Sequence, residues 1–528
     1  MFDKISAVWQ YICRKKVIAR KERKLDFEYL KKVSSYAINT STTVDTLTWN
    51  DLNMNAVFKH INYTSCSAGE ELLYTWLRNP LDHEIEYENR QKYIQTFEQH
   101  PAEISDVRES LEKLAYCKHD LKRTMQFDFV SNLKLLTIYT FLSLASLGLI
   151  VNAFMSGISV ITGLLVALFP IQIFLHYKFK EKYGIQLEVL QYAIRLTKYS
   201  EASLASVKSI DPDLFCEIHN LTTQLKSISK KEFILFRLEG VDVLADYINI
   251  TFLLKEINYF IVVGKIQNLR SVIIELYDLI GKIDAAMSIV AYRKTLKHYC
   301  EPHLGTQFKA IHMTEGYHPL IENAVPNSIK IAQDIAITGS NMSGKSTFLR
   351  TIGINAILAQ SICTSLSEKY ESTFYRVVTS MSLNDALLES KSYFLMEAEA
   401  IKRMIEYHEK GDATLMLIDE IFKGTNPIER YAASVEILNT LSQGNAKVIV
   451  TTHDLNIIPE LKAYECYYFT ENITSHSLSF DFKIHPGTAN SRNAIKVLEY
   501  VRYPSKLIER INSRIKSLEQ EETVTKST

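Results

Sequence analysis

Glycine and proline are scarce, 17 and 11 in 528 residues. So few turn-formers argue against a turn-rich β fold and favour long helices. Cysteine is sparse and scattered, at positions 13, 66, 117, 216, 300, 363 and 466, with no C-x-x-C. That excludes a disulfide framework or a zinc site of such spacing and fits a reducing cytosol. Neither sign of charge is in excess: 60 Lys and Arg face 60 Asp and Glu. Nucleic-acid binding through overall charge alone is thereby excluded, and any basic surface must be local. With 47% apolar and 23% charged residues the chain is not mostly disordered. Its length allows about two to four domains.

One absence is local. From Leu135 to Tyr177 there is no Asp, Glu, Lys or Arg. A single crossing of a bilayer takes roughly 20 residues, so this run is long enough for two. The polar stretch around Asn152, Ser156 and Gly157 divides it into a hairpin, with spans at Leu135–Val151 and Ile158–Leu175. These would reach roughly 26 and 27 Å. Pro170 falls in the second span, where membrane helices tolerate it. Lys122, Arg123 and Lys134 precede the run and Lys178, Lys180 and Lys182 follow it, while the turn has no charge. The positive-inside rule then predicts a multi-pass protein of the inner (cytoplasmic) membrane, with its soluble portions in the cytoplasm. A buried helical hairpin of a large soluble core is the alternative.

Residues 1–40 form a basic segment without the pattern of a secretory signal. Ile5, Val8, Trp9 and Ile12 recur at helical spacing, which suits a helix on an anionic leaflet; the alternatives are a helix packed on the protein, a solvated charged tail, or an electrostatic contact with DNA. Residues 41–132 and 178–305 read as helical, with apolar residues every three to four positions. Ile248–Gly264 is apolar but carries Lys255 and Glu256, which reads as core and not as a third span. From 306 to 518 short β-rich runs alternate with helical stretches, as in parallel βαβ units, and 519–528 is a polar tail.

Three elements in that C-terminal part carry chemistry. The stretch Gly339, Ser340, Asn341, Met342, Ser343, Gly344, Lys345, Ser346 fits GxxxxGK[ST] and is followed by Thr347. It lies between a strand candidate, Ile335–Thr338, and a helical run, Thr347–Gln360, the context the pattern requires. Glycines let the backbone wrap phosphates, and successive N–H groups at a helix start face negative charge. Lys345 is the phosphate-contacting cation and Ser346 a Mg²⁺ ligand. Leu415–Ile418 is an apolar strand candidate ending in Asp419 and Glu420, a second Mg²⁺ ligand and a general base. Val448–Thr451 is another, followed after Thr452 by His453, placed to sense the γ-phosphate.

Taken together these residues resemble the MutS family, a branch of the ABC-type P-loop ATPases. The family's loop has the form T-G-P-N-M-G-G-K-S-T, and Thr338–Thr347 matches it with Ser340 and Ser343 at the third and sixth places. Asp419 to Thr425 stands where the family has D-E-L-G-R-G-T, with Phe422 and Lys423 departing from it. Ser392 to Glu397 is similar to the S-T-F-M-x-E segment that meets the partner subunit's nucleotide, so the resemblance implies Ser392 as a trans-subunit contact. Gly316 to Leu320 is similar to the family's H-P element, and Gly487 to Ser491 with Pro504–Ile515 to its C-terminal portion. Gly69 to Leu73, Trp76 to Leu81, and Ile283 to Ala286 resemble its helical core or lever domain.

The resemblance implies an all-helical core and lever region, then an α/β P-loop ATPase domain; with the transmembrane hairpin (133–177) read from the uncharged run, which is foreign to the family's soluble repair enzymes, the expected fold is mixed. It implies ATP and Mg²⁺ as cofactors, ATP hydrolysis, a homodimer through the ATPase domains, and double-stranded DNA as a candidate partner held by the levers. Departures limit it. The family's mismatch-reading domain has a Phe-x-Glu wedge, and none precedes the hairpin; tripeptides such as those starting at Phe179 and Phe215 fall after it. Mismatch recognition is therefore not expected. A membrane-anchored ATPase acting on a protein partner, without nucleic acid, is the alternative. An ABC transporter is disfavoured, since two spans per chain are too few for a translocation pathway.

Overall fold

The computed structural model describes residues 25–37, 41–127, 129, 132–156, 160–229, 243–340, 343–381, 393–422, 426–473, 478–488 and 494–525. The basic segment up to residue 24 and the hairpin turn at 157–159 lie outside them. The chain divides into two compact units: 1–36, 62–75 and 92–292 form the first, and 37–61, 76–91 and 293–528 the second.

The first unit is helical. Its principal helices are α1 (Ser67–Arg78, which continues into the second unit), α2 (Leu133–Ser156), α3 (Val160–Ala202), α4 (Val243–Phe252), α5 (Leu254–Ile266) and α6 (Arg270–Arg293). Two segments that resemble the lever domain meet here. The Asp284 carboxylate on α6 accepts N–H bonds from Ser65 (2.8 Å) and Cys66 (3.0 Å), and the Cys66 thiol donates to it at 3.2 Å. These groups lead into α1, whose first turn has no internal acceptors for its donors. Burial pushes the Asp284 carboxyl above the usual range, and the Ser65 and Cys66 donors oppose that shift. Glycine allows the crossing: a Cβ at Gly281 would sit 2.8 Å from the Ala68 carbonyl oxygen, and one at Gly69 would meet the Asp284 carboxylate.

α2 and α3 are the arms of the expected hairpin, and both run past the boundaries read from sequence. α3 does not stop with the apolar run but continues without interruption for 43 residues, Pro170 included. The arms meet where Gln172 donates to the Ser146 hydroxyl at 2.6 Å and where the Tyr139 and Phe179 rings stand edge to face. Their outer faces are bare. Phe141 is 72% exposed, Leu144 62%, Phe154 88% and Phe174 62%. Leu133–Met155 is long and apolar enough to cross a membrane by length and composition, with 11% of its apolar window buried.

The second unit is built on a six-stranded sheet: β1 (Asp334–Thr338), β2 (Arg376–Ser380), β3 (Thr414–Asp419), β4 (Lys447–Thr451), β5 (Tyr464–Tyr468) and β6 (His485–Pro486). Their order across the sheet is β6-β5-β1-β4-β3-β2, parallel except for β6. β1 and β3 are buried along their whole length, which is why they read as unbroken apolar runs. The helices α7 (Lys345–Ile362), α8 (Tyr393–Glu409) and α9 (Pro427–Leu441) complete the α/β arrangement. A smaller four-stranded sheet comprises His303–Leu304, Ile311–Gly316, Asn327–Ile331 and Lys369–Ser372. The early segment 37–61 belongs to this unit as well. Asp51 accepts from the Thr379 hydroxyl (2.7 Å) and the Met381 N–H (3.1 Å), and Arg403 pairs with Asp45 at 2.6 Å.

Asp334 opens β1, buried, with Oδ1 accepting the Val448 N–H at 2.9 Å. Burial pushes its carboxyl up to about 6, against the Val448 N–H and the Lys447 charge. The folded state therefore holds this proton more tightly than the unfolded chain, and the residue costs stability as pH rises through that range. Asp334→Asn keeps an acceptor for Val448 and removes the titration. Relative to the native chain, the variant is expected to gain up to about 3 kcal/mol between pH ~4 and pH ~7, read from urea midpoints. An unchanged difference across that window would refute the assignment.

Candidate nucleotide site

The carboxyl ends of β1, β4 and β3 are neighbours in the sheet, so the segments that leave these strands all emerge at one edge. After β1 comes the glycine loop. Gly339 has φ +135, and a Cβ there would lie 2.6 Å from the Phe469 carbonyl oxygen. Gly344 has φ +108 and caps the start of α7, where Phe348 N–H bonds its carbonyl at 2.9 Å. Both glycines of the motif are thus required by the backbone path. Ser343, the replacement for glycine, is buried and donates its hydroxyl to the Ser340 carbonyl at 2.8 Å, closing the loop on itself. Lys345 is 4% exposed, and its Nζ donates to the carbonyls of Gly339 (2.8 Å) and Ser340 (2.6 Å). Asn341, Met342 and Ser392 lie outside the described residues.

After β3 come the two acids. Asp419 is buried and accepts the Thr451 hydroxyl at 2.6 Å. Glu420 takes a left-handed conformation at φ +62, held by its N–H on the Thr451 carbonyl at 3.1 Å. For a residue with a Cβ that conformation costs about 1–3 kcal/mol, a strain characteristic of functional positions. Its Oε1 meets His453 Nε2 at 2.6 Å. The general base and the phosphate-sensing histidine read from sequence are in direct contact.

A cavity of about 310 Å³ is lined by Ser340, Gly344, Lys345, Ser346, Thr347 and Glu420 among others. Glu420 also lines a second, larger cavity with His453, Arg430 and Asp454. Asp419 lines neither. The first cavity has walls that motif reading missed: Phe469 after β5, Phe482, Asn327 and His318. Phe469 N–H bonds the Thr338 carbonyl at 3.0 Å, and Asn327 binds Phe482 and Ile484 through their backbones. Only His318 carried a signal, within the H-P element. Burial, with Arg350 beside it, lowers its imidazole to about 4. It is therefore neutral near pH 7, with Nδ1 accepting the Leu320 N–H at 3.2 Å.

Residues 335–519 match the family model described as MutS domain V. The segment is similar to MutS domain V. Relatives agree with this. The chain is 29% identical over 258 residues to an "Endonuclease MutS2" of Staphylococcus saprophyticus, covering 46% of this chain and 32% of the relative. It is 29% identical over 264 residues to a "DNA mismatch repair protein MutS" of Methanosarcina barkeri, covering 47% and 29%. The same description applies to a Thermus thermophilus relative, 28% identical over 243 residues, covering 44% and 29%. The chain thus matches about a third of the length of these curated relatives. Of the two departures in the glycine loop, Ser343 bonds the Ser340 carbonyl through its hydroxyl. In the second motif the departure Phe422 is buried against the half-exposed Phe394, their rings 5.5 Å apart.

Proposed function

We propose that this chain is a membrane-anchored MutS-type ATPase whose Mg-dependent cycle of ATP binding and hydrolysis drives the helical levers. The observation that supports it is the convergence of Lys345, Ser346 and Glu420 on one cavity, with His453 on Glu420. The donors that line the cavity fit the cofactors: a glycine cradle that a Cβ would fill, a buried lysine, and the Ser346 hydroxyl as a hard oxygen ligand; Asp419, held on the Thr451 hydroxyl and lining neither cavity, is proposed as the second such ligand. Mg²⁺ would neutralise phosphate charge in the transition state. Lys345 trades its bonds to the Gly339 and Ser340 carbonyls for phosphate oxygens. Glu420 orients the attacking water and takes its proton as the new bond to the γ-phosphorus forms and the bond to the β–γ bridging oxygen breaks, and His453 holds the Glu420 carboxylate in place. Ser392 completes the site of the partner subunit in a homodimer, and closure of that dimer moves the levers.

The substrate of the levers is proposed to be duplex DNA at the inner face of the cytoplasmic membrane, by analogy with relatives named for mismatch repair. Hairpin insertion is supported by the exposed apolar faces of α2 and α3 and the basic residues that flank them. Electrophoretic shifts of duplex, mismatched and branched DNA, with and without ATP, test the DNA part. Retention should fall steeply as salt rises, because phosphate contacts release counterions. A chain that turns over ATP but retains no DNA at low salt acts on a protein partner instead.

A further inference from the structure

The helices α4 and α5 pack against both arms of the hairpin, and they are one helix broken at Leu253, where φ is +49. The break is organised: the Asn249 side chain accepts the Lys255 N–H at 2.9 Å, and Gln172 of α3 donates to the Thr251 carbonyl at 2.7 Å. The same Gln172 binds Ser146 of α2, so one amide ties three helices together. One turn further along α3, His176 Nδ1 meets Glu256 Oε1 at 2.6 Å. Glu256 is fully buried, and its Oε2 has no hydrogen-bond partner among the described residues. At the next level Tyr139, Phe179, Tyr259 and Phe260 stack into an aromatic layer.

These contacts set a depth. Tyr247 on α4 stacks on Phe169 of α3, ring centroids 6.4 Å apart. Phe169 lies nine residues before Lys178, the first charged residue past the apolar run. At 1.5 Å per residue Tyr247 stands about 13 Å inside the level of Lys178, near half the thickness of a hydrocarbon core. There Tyr247 is 55% exposed and Ile248 41%, beside the bare faces of the arms. If the hairpin is in lipid, so is this face.

We infer that Val243–Phe252 is a third intramembrane element, a half-depth helix whose outer face contacts acyl chains, and that α5 returns it to the helical core. The inference rests on the membrane reading of the hairpin. It gives the polar groups a purpose: backbone freed at the break is satisfied only inside protein at such depth, and here Gln172 and Asn249 do so. Glu256 enters a low-dielectric site against His176, as ionisable groups within membrane bundles pair with one another. The element does not cross, which is why Lys255 and Glu256 are compatible with it.

The test uses the intact chain in phospholipid vesicles containing a lipid with a photoactivatable group at mid-chain, with crosslinks located by peptide mass spectrometry. Crosslinks are expected on Leu133–Ser156 and on Val243–Phe252, with none above background on the helix Pro212–Ser229. Crosslinks on Leu133–Ser156 but not on Val243–Phe252 overturn this inference alone. Crosslinks on neither overturn the membrane reading itself.

Discussion

Glu420→Gln is expected to keep nucleotide bound while hydrolysis falls by about 10²–10⁴-fold, the range for removal of a positioned general base. The amide keeps the shape of the side chain, and the backbone stays at φ +62 through the bond to the Thr451 carbonyl. What it loses is the carboxylate that meets His453. Lys345→Ala separates binding from turnover in the other sense. A lost charge-assisted bond is worth about 1.5–3 kcal/mol, so nucleotide affinity should drop roughly 10- to 150-fold. The lysine also holds the Gly339 and Ser340 carbonyls, so the loop itself loosens. Calorimetric titration and phosphate release measure the two effects separately. Normal turnover in Glu420→Gln would remove the base assignment, and normal affinity in Lys345→Ala would remove the site.

The second large effect lies in the first unit. Asp284→Ala leaves the Ser65 and Cys66 N–H groups and the Cys66 thiol without their acceptor in a fully buried place. Orphaned buried donors cost about 1–3 kcal/mol each, so a loss of roughly 3–5 kcal/mol is expected. That is a large fraction of a typical stability of about 5–15 kcal/mol. Asp284→Asn retains one oxygen acceptor and should cost less. Denaturant unfolding followed in the full chain reads the difference as a lowered midpoint of the helical unit. Equal midpoints for native, Asn and Ala forms would show that Asp284 does not anchor the start of α1.

The strands that carry the site were legible because each is buried on both faces and so spells an unbroken apolar run. β1, β3 and β4 each begin one residue before the run read for it; β3 also takes in Asp419. The motif residues at their ends were legible because loop geometry restricts residue type, glycine above all. Phe469, Phe482 and Asn327 were not, since an aromatic after a strand and an asparagine at a strand start have no signature until distant backbone meets them. The Asp284 clasp was visible only as two separate family likenesses, because 218 residues part it from Cys66. The recruitment of 37–61 into the second unit was hidden for the same reason. In α3, Lys178, Lys180 and Lys182 mark the end of the apolar run but not of the helix, because charged side chains end an apolar run without breaking backbone hydrogen bonds.

That continuity limits how the chain could have been assembled and how it can be taken apart. A hairpin joined by flexible linkers can be trimmed away as a cassette, whereas α3 passes from the exposed apolar arm to the buried Val189–Leu196 face without a seam. Removing the arms cuts a rod in mid-length and forces a new start near Lys178, on a stretch with no capping side chain of its own. A soluble truncation therefore has to supply that missing terminus before it can report on the remainder of the molecule.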